Sequence, residues 1–286
     1  MTKYAGELSG SAAVTASVFQ GSAVGPSLYA VNACDLHPIH EGNFIDKYAD
    51  DTYLLVPSAN EHTVLSELQS IESWASSNNL KLNKQKSVEI VFFSHLNCKS
   101  KRPSFPVTVD PLPNVERVNS IKILGVTIDN QLSVKDHVNN VCQAAAQNLY
   151  AIKLLKSHGL TQQSIYSICH ATVVSRLTYA CPAWWGFTSA ADRQQLESVM
   201  NRAIRWGFYR KDDPTIDQIC SKLENTLFNS VLFNPTQVTH VLHQYLPPVK
   251  KTAYNLRSRG HNRELPKKEN STLNKNFFYR LLYSSI

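Results

Sequence analysis

Asp50 and Asp51 are adjacent carboxylates set between two short runs, Asn43-Phe44-Ile45-Asp46-Lys47-Tyr48 and Thr52-Tyr53-Leu54-Leu55-Val56, both rich in aromatic and β-branched residues. Such runs read as strands, and Ala49-Asp50-Asp51 between them reads as a tight hairpin with two carboxylates at its tip. Mg²⁺ favours hard carboxylate oxygens and keeps room for water and substrate phosphates, so this pair suits a metal that serves nucleotidyl transfer. Aspartate is also a common turn residue, and taken alone the pair reads first as a plain turn.

The elements that would position this tip can be read on both sides of it. Gln20-Gly21-Ser22-Ala23-Val24-Gly25-Pro26 marks a loop turning into a helix over about 26–36, which Pro38 ends. After the hairpin, Val64, Leu65, Leu68, Ile71, Trp74 and Ala75 recur at helical spacing between Asn60 and Asn78. Residues 86–93 then read as a buried strand, and 105–109 and 121–128 as further β-rich segments. This order predicts an α+β domain built on an antiparallel sheet.

From Ser133 the pattern is helical. Val134, Val138, Val141, Ala145, Leu149 and Ile152 trace one face, and Gly159 closes it. Helices are also predicted from Thr161 to about Tyr179, from Ser189 to about Tyr209 and from Thr215 to Phe233. Trp184-Trp185, between Pro182 and Gly186, reads as packing at a helix junction. The expected organisation is thus 1–130, 131–245 and a basic, largely disordered tail at 246–286, whose apolar end Phe277 to Leu282 is the part able to dock back.

The formal net charge of +7 resides in that tail, where nine Lys/Arg face two Asp/Glu; the other 245 residues carry twenty of each. A basic tail is drawn to phosphate backbones, whereas the folded body shows no global excess. A local basic stretch, Lys81, Lys84, Lys86, Lys99, Lys101 and Arg102 against the single Glu89, reads first as a solvated face and loop. The six cysteines are scattered without a C-x-x-C pair, so free and mostly buried thiols are expected. His37, His40, His158, His170, His240 and His243 form no set at metal-ligand spacing. No apolar run reaches the roughly 20 residues of a membrane span, and residence in nucleus or cytoplasm is the expectation.

Tyr48-Ala49-Asp50-Asp51 with the upstream Gln20-Gly21 loop resembles the Y-x-D-D hairpin and Q-G loop of the reverse transcriptase palm. The likeness continues in order. Trp74 to Ser87 is similar to the W-x-x-x-N-x-L-x-L-N-x-x-K-T block, and Ile123-Leu124-Gly125-Val126 to the L-G-V primer-grip hairpin. Tyr254 to Arg259 and Asn276 to Tyr283 resemble terminal segments of animal non-LTR retrotransposons.

The resemblance implies a partial polymerase palm, then an all-helical thumb and the basic tail. By it, Asp50 and Asp51 match two members of the catalytic aspartate triad and hold Mg²⁺, with Mn²⁺ as the alternative. Tyr48 would line the primer terminus, and Gln20, Gly21 and Ser22 the template base and incoming nucleotide. Lys86 matches a palm lysine that protonates pyrophosphate, and Leu124, Gly125 and Val126 would grip the primer. The implied partners are an RNA template, a DNA primer or target and deoxynucleoside triphosphates.

The resemblance is incomplete at one point. Only nineteen residues precede Gln20 and none is aspartate, while Asp35 and Asp46 lie in the wrong elements to replace the triad's first member. The expectation is therefore a fragment inactive alone that needs an upstream palm and fingers segment, the alternative being a noncatalytic nucleic-acid-binding remnant.

Overall fold

The computed structural model describes residues 3–4, 6–8, 10, 23–93, 109–233, 240–250, 260–268 and 271–284. The chain forms two compact units, one of Met1–Glu89 with Val107–Arg117, the other of Ile90–Pro106 with Val118–Ile286.

In the first unit, β1 (Lys3–Tyr4) and β2 (Glu7–Leu8) pair antiparallel. Helix α1 (Gly25–Asn32) starts with Pro26 in its first turn, where the missing N–H costs nothing. It ends four residues before the expected Leu36. Strands β3 (Phe44–Tyr48) and β4 (Asp51–Leu55) form an antiparallel hairpin. A 3₁₀ stretch, Ser58–Thr63, leads into α2 (Val64–Ser77), which buries Glu67, Ile71 and Ala75 at four-residue intervals.

The strand expected over 86–93 is much shorter. Only β5 (Val88–Glu89) pairs, with β6 (Glu116–Arg117), and the pairing is parallel. Every sheet among the described residues has two strands, so the antiparallel order expected throughout fails at this pair. An apolar run becomes a buried strand only where partners flank it, and here Val88 is 37% and Phe92 44% exposed. What fastens β5 to β6 is an ion pair. Arg117 Nε donates to Glu89 Oε2 at 2.8 Å and Nη2 to Oε1 at 3.1 Å, while its Nη1 reaches the Val109 carbonyl.

The second unit opens with the hairpin β7 (Ser120–Ile123) and β8 (Val126–Asp129). Helix α3 (Lys135–Ser157) buries Val138, Cys142, Ala145, Leu149 and Ile152 along the expected face. Gly159 follows at φ +87, and the Leu160 N–H returns to the Leu155 carbonyl, the left-handed stop that glycine permits. The next run comprises α4 (Gln162–Cys169), one π-helical turn at His170–Val174 and α5 (Ser175–Thr178). Short α6 (Cys181–Trp184) then packs Trp184 and Trp185, 0% and 3% exposed, at the junction where they were expected to pack.

Helices α7 (Ala190–Arg205) and α8 (Ile216–Leu232) each begin with a capping box, Ser189 with Asp192 and Thr215 with Gln218. Their buried faces join α3, α4 and α6 in one core that also contains Val126 of β8. Val126 ties the hairpin to Val134 and Val138, so β7 and β8 belong to the helical unit, and the last division between the units falls at Arg117/Val118.

Helix α9 (Phe277–Ser284) sets Leu281 and Leu282 against Phe228 of α8. Arg280 pairs with the buried carboxylate of Glu224, which gives a polar sequence a fixed address. Tail segments 251–259 and 269–270 lie outside the described residues. No helix among the described residues is long and apolar enough to cross a membrane.

Candidate functional site

The β3–β4 register pairs Tyr48 with Asp51, which leaves Ala49-Asp50 as a two-residue turn and makes Asp51 the first residue of β4. Ala49 adopts φ +51, the left-handed conformation such turns need at a position where glycine is usual. Residues alternate across a strand, so Asp51 shares a face with Tyr48, Asp46 and Phe44 of β3 and with Tyr53 and Leu55. Tyr48 is 63% and Phe44 57% exposed, so this face is open. Both aspartates are exposed, and among the described residues neither is recorded in a hydrogen bond or ion pair.

The opposite face anchors the hairpin. Lys47 Nζ donates to the Leu36 carbonyl at 2.8 Å and to that of Ala33, just past the end of α1, where a cation also meets the negative end of the helix. Asp35 accepts from Trp74 Nε1 at 2.8 Å and is thereby committed to α2.

The approach to β3 is fixed by a carboxylate. Glu67 is fully buried and accepts from Asn43 Nδ2 at 2.8 Å, from the Ile39 and His40 backbone N–H groups at 3.0 and 2.9 Å, and pairs with the His40 ring at 3.0 Å. Asn43 in turn donates to Thr63 and accepts from Asn60. Burial works to raise the Glu67 pKa, but the hydrogen bonds from Asn43, Ile39 and His40 outweigh it and the pKa is lowered.

A carboxylate whose folded pKa is depressed stabilises the fold above its ordinary pKa of roughly 4.3 and loses that contribution as pH falls through the lowered value. Hydrogen exchange at the Ile39 and His40 amides is therefore expected to accelerate below about pH 4. In Glu67→Gln the acid-dependent part should vanish. Parallel acid profiles for wild type and variant would show that Glu67 is not its source.

Lys86 lies in the turn before β5, exposed, its N–H donating to the Asn83 carbonyl. It is not at the start of an extended strand. No hydrogen bond or ion pair is recorded between it and the aspartates. Gln20, Gly21 and Ser22 lie outside the described residues.

Leu124 and Gly125 form the two-residue turn of β7–β8, at φ +46 and +92, while Val126 is buried. Positive φ at both central residues is the hairpin turn that matches strand twist. Leucine is strained there yet 41% exposed, so the turn presents an apolar side chain.

What holds the turn is Tyr179, whose hydroxyl donates to the Leu124 carbonyl at 3.1 Å. The Tyr179 carbonyl accepts from the Trp184 indole at 2.9 Å. Trp184 also meets His137 edge-on at 4.9 Å, and His137 Nδ1 accepts the Thr127 N–H at 3.4 Å. Burial, with Lys122 adding to it, pushes the His137 pKa down and keeps the ring neutral. A Cβ on Gly125 would lie 3.1 Å from the Tyr179 ring in a conformation L-residues avoid. Gly125→Ala is expected to destabilise the hairpin by about 1–2 kcal/mol. Faster exchange at Thr127 than in wild type would show it, and unchanged exchange would contradict it.

Among the described residues no group of three His, Cys, Asp or Glu could hold a metal ion. The five described cysteines are free, and burial pushes the thiols of Cys142 and Cys169 up to about 11, far from a nucleophilic thiolate. Asp50 and Asp51 are two exposed, adjacent carboxylates. Sequence reading missed Glu67, Asn43, Lys47 and Tyr179. A carboxylate one turn before Ile71 in the apolar stripe of α2 was the available signal for Glu67; Tyr179 had none, because its partner is 55 residues away.

Residues 2–128 match the family described as "Reverse transcriptase (RNA-dependent DNA polymerase)". The chain is 31% identical over 143 residues to the RNA-directed DNA polymerase from mobile element jockey of Drosophila melanogaster, covering 46% of this chain and 15% of that protein. Over 202 residues it is 26% identical to the probable RNA-directed DNA polymerase from transposon X-element of the same organism, covering 67% and 22%. Over 213 residues it is 25% identical to the corresponding protein from transposon BS, covering 66% and 22%. The chain thus spans about a fifth or less of these relatives. No solved structure matches significantly. Residues 2–128 are thus similar to the reverse transcriptase family, and the relatives matched are named as RNA-directed DNA polymerases of mobile elements.

Proposed function

We propose that this chain supplies the downstream part of a reverse transcriptase palm and its thumb for template-directed nucleotidyl transfer onto a DNA primer. The observation that carries the reading is the hairpin register, which exposes Asp50 and Asp51 side by side at a turn in a segment related to reverse transcriptases. Two adjacent carboxylates fit Mg²⁺, which commonly takes one or two from the protein and fills its shell with water and substrate phosphate. When bound, the ion would offset charge on the triphosphate and lower the pKa of the primer hydroxyl.

The chain's own residues do the placing. Lys47 and the Glu67 hub anchor the hairpin, Tyr48 beside Asp51 offers an exposed ring to the primer terminus, and the Leu124-Gly125 turn contacts the primer strand, while Val126, buried in the core, holds that turn from behind and does not touch the primer. Gln20, Gly21 and Ser22 serve the template and incoming nucleotide, and Lys86 the leaving pyrophosphate. Helices α3 to α8 serve as the thumb.

Two carboxylates make a partial metal site, so the chain is expected to extend a primed RNA template only when joined to an upstream segment carrying a third. Primer extension by the joined protein but not by the chain alone is the expected result. Extension by neither, with circular dichroism showing a folded chain, would sink the catalytic reading. A second reading, noncatalytic binding of nucleic acid, is favoured by the want of a three-carboxylate cluster among the described residues.

A further inference from the structure

Cations and anions balance over residues 1–245, yet six cations gather around the C-terminal end of α7. Lys153 and Lys156 reach it from α3, with Lys153 Nζ 5.5 Å from the centre of the Trp206 ring and Lys156 Nζ 5.5 Å from that of Phe208. Lys156 Nζ also donates to the Trp206 carbonyl at 3.0 Å. Arg202 and Arg205 occupy the last turn of α7. Arg210 and Lys211 follow, with the Arg210 guanidinium 4.6 Å from the Tyr166 ring centre.

Five of the six are exposed and Arg202 is half-buried. Among the described residues none is recorded in an ion pair. The neighbouring acids are fewer: Glu197 on α7, with Asp212 and Asp213, whose carboxylate caps the Arg210 N–H. A helix C-terminus carries only about half a negative charge, enough to favour one or two of these cations. Holding the others together with fewer counter-charges than cations leaves mutual repulsion, and an anionic partner removes that cost. Aromatic side chains are interleaved. Trp206 is half-buried, and Tyr150, 60% exposed, lies one turn before Lys153 on α3.

We propose that Lys153, Lys156, Arg202, Arg205, Arg210 and Lys211 form a surface that binds the phosphate backbone of the template–primer duplex. The assignment rests on the polymerase reading for the identity of the duplex, and it makes no use of Asp50 or Asp51. Polyanion binding of this kind proceeds by counterion release, so it weakens with salt in proportion to the phosphates neutralised.

The test is duplex binding by the full chain, followed by fluorescence anisotropy across a salt series with a labelled RNA–DNA primer–template. The cluster variant Lys153→Glu/Arg205→Glu avoids Lys156, whose hydrogen bond is structural. The control Lys222→Glu/Arg176→Glu reverses two exposed cations elsewhere in the same unit. The cluster variant is expected to bind about tenfold or more weakly and with a salt slope shallower by about 2, while the control changes less than about twofold. Thermal unfolding of both variants establishes that they are folded.

Equal losses in the two variants would mean a diffuse charge effect and overturn the assignment, as would undiminished binding by the cluster variant. Stronger binding of wild type to phosphatidylserine vesicles than to duplex would overturn it too, by making the partner a membrane. The Asp50→Ala/Asp51→Ala chain should bind duplex as wild type does, so failure of the surface and failure of the catalytic reading are separately visible.

Discussion

Under the proposed polymerase reading, the chain joined to a segment carrying a third palm carboxylate is expected to lose Mg²⁺-dependent primer extension by at least about 10³-fold when Asp50 and Asp51 are both changed to alanine. The two carboxylates are an exposed adjacent pair at the hairpin turn, and transition-state charge in phosphoryl transfer is offset mainly by the ion they would hold. The loss should leave folding intact. Both side chains are exposed and hold no recorded partner, so their removal should move stability by no more than about 0.5 kcal/mol. A variant that melts like wild type and still extends the primer would show that chemistry resides elsewhere. Single Asp50→Asn and Asp51→Asn changes divide the role: asparagine keeps the oxygen but not the charge, so an electrostatic requirement predicts large losses from each.

Arg280→Ala is expected to destabilise the helical unit by about 3–5 kcal/mol, because it strands the Glu224 carboxylate. That side chain is 3% exposed and receives two hydrogen bonds from the Arg280 guanidinium, one at 3.1 Å. Around the pair, Phe228, Leu281 and Leu282 exclude water, and Gly186 leaves no room for a Cβ beside Lys275 and Arg280. Urea unfolding of the full chain reads the loss. Replacing both partners, as in Glu224→Met/Arg280→Met, should recover most of it, since an apolar pair strands no charge. A loss below about 1 kcal/mol for Arg280→Ala would mean that α9 does not need this contact, as for an exposed pair.

Local signals carried a large part of the fold. Helix α3 was legible because Val138, Ala145, Leu149 and Ile152 recur at its period and Gly159 supplies a left-handed stop. Ser189 and Thr215 marked the starts of α7 and α8 through caps completed within one turn. The β3–β4 hairpin was legible from its two β-rich runs, with its turn one residue shorter than read. Each of these is decided by residues a few positions apart. The 86–93 strand misled because its burial depends on neighbours that a run of apolar residues does not specify.

For the candidate site the division is the same. The sequence by itself determined the adjacent aspartates, the strands on either side and the basic balance of the last 41 residues, because type and spacing are properties of the chain. Only the tertiary structure decided that Glu67 is buried as a hub for Asn43, Ile39 and His40, that Tyr179 clasps the Leu124-Gly125 turn, and that Arg280 finds Glu224. The same holds for the six cations around the end of α7, which come from α3, from α7 some 50 residues later and from the turn after it, in a body of balanced charge. Hydrogen bonds and ion pairs act over a few ångströms, and which distant groups come that close is set by packing.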